Sequence, residues 1–159
     1  MKHMISLMLA LSFISPTLFA AVRGNETMYV GGTLDIPQKT EGILNLEGEK
    51  IAVFTYKGGE YELPYEQVTI LEYGQKAGRR VGATVAGFAA FGIPGLIALF
   101  SRKRKHFLSI ALTDAEGKNQ AIVLELSKGN VRTILRTMEA RTGKRVEYES
   151  EEAKKNVGQ

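Results

Sequence analysis

Between Met28 and Leu126 much of the chain alternates apolar and polar residues with a period of two, the pattern of half-buried strands. Met28, Val30 and Leu34 share one face of a first strand, with Gly31–Gly32 allowing a bend or bulge, and Pro37 and the polar residues through Thr40 break the run. Gly42–Leu46 and Ile51–Tyr56 are two short β-rich segments separated by a turn at Glu47–Lys50. Lys57–Glu60 is a second turn, because its glycines supply the positive φ angles of tight hairpins. Tyr61–Leu63 and Val68–Tyr73 follow, with Pro64 either at an edge or at the kink between them. Further on, Leu108, Ile110 and Leu112 alternate with Ser109, Ala111 and Thr113. After the turn cluster Asp114–Asn119, Ile122, Leu124 and Leu126 line one face of Ala121–Leu126, which predicts a hairpin.

The period then changes. Val131, Ile134, Leu135 and Met138 fall at i, i+3, i+4 and i+7, one stripe of an amphipathic helix. Ser127 or Asn130 can cap its start, and Gly143 is placed for its C-terminal cap. Val146–Tyr148 reads as a short extended piece and Glu151–Gln159 as a frayed, solvated tail. The expected fold is therefore mainly β with one C-terminal helix.

This order resembles the pleckstrin-homology-like superfold, in particular small bacterial PH-like and GRAM-like domains. The resemblance is carried by Glu60–Gly74 (EYELPYEQVTILEYG), by the hairpin Phe107–Leu126 and by the helix Val131–Thr142. It covers roughly residues 28–145 apart from one insert, within a domain set at 21–145. The resemblance implies a strongly bent sheet or barrel closed by the helix, and binding in general without a particular ligand.

The insert is Val81–Phe100, an uncharged run between Arg79–Arg80 and Arg102–Lys103–Arg104–Lys105. As one helix it would be roughly 30 Å long, about the thickness of a bilayer's hydrocarbon core. As a hairpin bent at Gly92, Pro94 and Gly95 it would dip into one leaflet and return both basic flanks to one side. The hairpin is preferred, because a single crossing would leave two half-sheets with bare edges on opposite sides of a membrane. Gly82 and Gly87, with neighbouring alanines, offer a small-residue surface for packing in lipid, or for a second copy of the chain. Burial of the run against the domain itself is the soluble alternative. Arg79, Arg80, Arg102, Lys103, Arg104 and Lys105 are the expected contacts for anionic lipid headgroups.

A second apolar run, Met4–Ile14 after Lys2, with Leu18–Phe19–Ala20 behind it, reads as a signal peptide over residues 1–20. Export to the cell envelope follows, on the periplasmic side in a Gram-negative cell, and makes nucleic acid an improbable partner for the basic block. The chain has no cysteine, so a thiol nucleophile, a disulfide framework or a cysteine zinc site is impossible. Beyond the signal peptide His106 is the single histidine, a poor metal site by itself. No G-x-S-x-G elbow, phosphate loop or dinucleotide fingerprint occurs, and neither a cofactor nor a catalytic set is expected. The sequence thus points to a non-catalytic, exported, membrane-associated binding or adaptor domain for lipid or another envelope protein. A structural or pore-like oligomer built through the glycine-rich hairpin is the alternative.

Overall fold

The computed structural model describes residues 25–75, 105–148 and 150–158. Eight strands form one sheet: β1 (Glu26–Gly32), β2 (Thr40–Asn45), β3 (Ile51–Tyr56), β4 (Gly59–Pro64), β5 (Val68–Gly74), β6 (His106–Thr113), β7 (Asn119–Leu126) and β8 (Val146–Tyr148). Helix α1 spans Val131–Thr142, α2 spans Glu151–Gly158, and a turn of 3-10 helix at Tyr65–Gln67 joins β4 to β5. The spatial order is β4-β3-β2-β1-β7-β6-β5-β8. All pairs are antiparallel except β5–β8.

The sheet curls into a half-barrel. A hydrogen bond from Tyr61 on edge strand β4 to Gln120 on β7, 3.2 Å long, measures the curl. These strands lie four places apart, and a flat sheet would separate them by about 19 Å. The concave side holds the main core, with Tyr29, Leu44, Phe54, Leu63, Leu71, Tyr73, Leu108, Ile110, Leu112 and Leu124 all buried. Helix α1 joins this core through Val131, Ile134, Leu135 and Met138, the stripe read from the sequence. Gly143 closes the helix at φ 69°, its N–H bonded to the Glu139 carbonyl. At the start, Asn130 holds the N-cap position without a side-chain cap bond, and its amide donates to Ser127 Oγ instead.

Two expectations need correction. Met28, Val30 and Leu34 do not share a strand face: the register slips between Tyr29 and Gly31, and Leu34 lies beyond the end of β1. Tyr29 is the core residue instead, its hydroxyl donating to the Leu34 carbonyl at 3.4 Å. The tail is not frayed. Ser150 Oγ accepts from the Ala153 N–H, Ala153 is buried, and Arg132 Nε donates to the Val157 carbonyl, so Glu151–Gly158 packs as a helix. Val146–Tyr148 is extended, as expected, and joins the sheet as β8, parallel to Leu71–Tyr73.

Strands β5 and β6 are adjacent, with Gly74 opposite Phe107. The chain therefore leaves the sheet after β5 and re-enters it at the neighbouring position. The apolar run Val81–Phe100, its hairpin residues Gly82, Gly87, Gly92, Pro94 and Gly95, and the signal segment 1–20 lie outside the described residues. Among the described residues no helix is long and apolar enough to cross a membrane.

Candidate functional site

At the end of the sheet where β1, β3 and β6 finish and β4 and β7 begin, a cleft of about 320 Å³ opens. Its walls are Thr33–Ile36 from the β1–β2 connection, Tyr56, Glu60 and Tyr61 from the β3–β4 hairpin, and Lys118 and Gln120 from the β6–β7 hairpin. Each wall has a local cause. The β1 segment turns out of the sheet at Gly32, whose φ of 150° and contact with β7 exclude a side chain: a Cβ there would stand 2.1 Å from the Ala121 carbonyl oxygen. Thr33 then clamps β7 by backbone and side chain, its N–H donating to the Ala121 carbonyl at 2.9 Å and its Oγ1 accepting from the Ala121 N–H at 3.0 Å.

On the β6–β7 side, Asp114 organises the turn. Its Oδ1 accepts from the Lys118 N–H at 2.7 Å and the Glu116 N–H at 3.2 Å, and its Oδ2 accepts from the Gln120 side-chain amide at 2.8 Å. These donors, the Lys118 N–H first, hold the Asp114 carboxyl below its usual range, so it is ionised at neutral pH. Gln120 is thereby oriented with its Oε1 free to accept from Tyr61. Burial raises the Tyr61 phenol, and the Asp114 charge adds to that, so the hydroxyl remains a donor. Tyr29 beneath is pushed up to about 12 by burial. The cleft presents two carboxylates (Asp35, Glu60), one ammonium (Lys118) and neutral phenols above an apolar floor of Leu34 and Ile36. Such a surface suits hydrogen-bonded and ion-paired recognition of a polar side chain or small polar ligand. Among the described residues no group of three or more His, Asp or Glu side chains is placed to hold a metal ion.

The sequence singled out none of these residues as a site. They come from three separate connections, and only the curl brings Tyr61 to Gln120. The one clue was the pair of glycine-containing turns flanking the hairpins.

Arg79, Arg80, Arg102, Lys103 and Arg104 are outside the described residues, and Lys105 stands at the far end of the molecule, next to the start of β6. Its Nζ sits 2.7 Å from Glu125 Oε2 on β7. Close by, the Tyr73 hydroxyl and His106 Nδ1 are 2.6 Å apart and Tyr148 meets Tyr73 edge-on, tying β5, β6 and β8 together where the insert leaves and returns. Burial and the Lys128 charge lower the His106 pKa, while burial raises that of Tyr73, so at neutral pH an uncharged imidazole faces a protonated phenol, and the imidazole tautomer sets which of the two donates. No protein-family model matches the chain, and no curated protein is significantly similar to it.

Proposed function

We propose that the protein is a non-catalytic, exported binding domain of the cell envelope. One end is held at a membrane by Val81–Phe100 and its basic flanks, and the other presents the cleft to a partner. The observation that carries this reading is the pairing of Gly74 with Phe107. A single crossing between these residues would place two hydrogen-bonded strands on opposite sides of a bilayer, whereas a re-entrant segment leaves the sheet whole. The strand order supports the PH-like architecture: β1–β4 run consecutively, β7-β6-β5 continue the sheet, and a helix follows.

The position of the cleft favours one partner class. Strand β6 runs from the insert end at His106 to the cleft end at Thr113, about 25 Å at strand rise. A domain tethered at the first end points the second away from the same membrane. The cleft therefore suits another envelope protein better than a headgroup of the tethering bilayer.

Vesicle flotation of the chain from Ala21 tests the tether. Replacing Arg102, Lys103 and Arg104 by Gln removes three cations worth about 1 kcal/mol each near an anionic surface. Binding to vesicles containing phosphatidylglycerol should fall at least tenfold at low salt, with the melting temperature unchanged. Added salt should reproduce part of the loss. Undiminished flotation of the triple variant, or loss of its cooperative melt, defeats the assignment of these residues to the membrane surface.

A further inference from the structure

The two edges of the sheet are not alike. At one, β8 is three residues long and helix α2 packs beside it. At the other, β4 runs for six residues, and among the described residues no strand lies beyond it. The ladder shows which main-chain groups this edge leaves over. The Tyr65 N–H donates to the Lys50 carbonyl at 2.9 Å, which fixes the phase of the β3–β4 pairing. Main-chain bonds therefore fall at Tyr65, Leu63, Tyr61 and Gly59, and Glu60 and Glu62 turn their N–H and C=O groups away from β3. Pro64, which has no N–H, ends the usable edge.

Side chains follow the same alternation. Leu63 is buried and Tyr61 reaches across the concave side to Gln120, whereas Glu60 and Glu62 are exposed on the convex side. The register sets Ile43, Thr55 and Glu60 in one row and Asn45, Val53 and Glu62 in the next. No residue in either row is cationic, and among the described residues neither carboxylate forms an ion pair.

We propose that the free edge of β4 is a strand-addition site for an extended basic segment of another protein, bound antiparallel, with Lys or Arg side chains opposite Glu60 and Glu62. The outward N–H and C=O groups fit the ladder of any antiparallel strand, so the charges on the convex side carry the selection. Opposite charges set directly across neighbouring strands attract, and like charges repel. A second copy of the chain would bring its own β4 carboxylates against Glu60 and Glu62, so the same pair that selects a basic strand keeps β4 from pairing with itself. The edge lies beside the cleft, whose walls include Glu60 and Tyr61. The inference thus rests on the reading of this end of the domain as a protein-binding surface, and it is independent of the tether.

The probe is a capped, dye-labelled heptapeptide of alternating Lys and Val, and the protein is the full chain in nonionic detergent. Fluorescence anisotropy should show saturable binding. It should weaken about tenfold when Glu replaces Lys in the peptide, and about tenfold when Glu60→Gln and Glu62→Gln are combined in the protein. An antiparallel ladder places each Lys in register with Glu60 or Glu62, its N–H aimed at β4. N-methylation of the Lys amides should therefore abolish binding, and N-methylation of the Val amides should leave it within about threefold. This series uses the unaltered protein, so a folding defect in the double variant does not blunt the test. Hydrogen exchange gives a readout that general charge attraction would not move. The Glu60 and Glu62 amides should exchange fast in the free chain and slow by about tenfold or more at saturation, while those of Tyr61 and Leu63 stay slow throughout. Absence of binding, equal loss from both methylation patterns, or unchanged exchange at Glu60 and Glu62 overturns the inference. Binding that Asp35→Asn weakens and Lys-amide methylation spares also overturns it, and places the peptide in the cleft, leaving the cleft's own reading as a partner site intact.

Discussion

Gly32 is the residue on which the cleft wall hangs, and replacing it by alanine should show this as a loss of stability. The new Cβ would lie 2.1 Å from the Ala121 carbonyl oxygen, 2.9 Å from its carbon and 3.1 Å from Ile122 Cα. All three are backbone atoms, so no flexible side chain can swing away. Two costs add. Holding a non-glycine residue at φ 150° strains the backbone by about 1–3 kcal/mol. Relieving the clash means parting β1 from β7, which weakens the Thr33–Ala121 hydrogen bonds, worth about 0.5–1.5 kcal/mol each. Together they come to about 3 kcal/mol, a fall of about 10 °C in melting temperature for a domain of this size. Two further glycines act as references. Gly117 has φ 78° and no atom within 4 Å of its virtual Cβ, so Gly117→Ala should cost about 1 kcal/mol from strain alone. Gly129 has open space and an ordinary φ, so Gly129→Ala should be neutral or stabilise by up to about 1 kcal/mol. Urea unfolding of the three variants, analysed with a common slope, gives the ranking. If Gly32→Ala matches Gly129→Ala, the bulge is not rigid and the account of the cleft wall fails.

Leu135→Ala in α1 should cost about 3 kcal/mol by leaving a hole between helix and sheet, and a urea midpoint shift equivalent to less than 1 kcal/mol would mean the helix packs loosely. Because the folded state lowers the His106 pKa, its contribution is complete above 6.5 and is lost as pH falls from there toward the folded pKa, where the unfolded chain protonates first. Urea midpoints should therefore decline between pH 7 and 5 with a component that His106→Phe removes; an identical decline in that variant would locate the proton uptake elsewhere.

Sequence periodicity revealed the regular parts and missed those that depend on departures from regularity. Leu108–Leu126 and Val131–Met138 keep one period throughout, so their inner faces could be read directly. In β1 the extra residue between Tyr29 and Gly31 interrupts the alternation, and a reading based on period two picked Met28 and Val30 over Tyr29. Helix α2 is short and polar, and its packing rests on Ala153, Val157 and a bond from Arg132, which only the tertiary fold supplies. The cleft was hidden for the reason the curl was hidden. Nothing local in Tyr61 or Gln120 announces that strands four places apart will meet.

The adjacency of Gly74 and Phe107 also bears on how the chain tolerates rebuilding. About thirty residues separate β5 from β6, and a two-residue turn would serve the same pairing. Closing the longer loop costs about 2 kcal/mol more in chain entropy than closing one of four residues, and doubling it again adds only about 0.6 kcal/mol. Length at this point is thus nearly free once the connection is long. A passenger domain with neighbouring termini could be spliced there without disturbing the β5–β6 ladder, whereas one extra residue between Glu26 and Tyr29 would shift the register of β1 against β7 and turn the side chains on one side of the insertion to the wrong face.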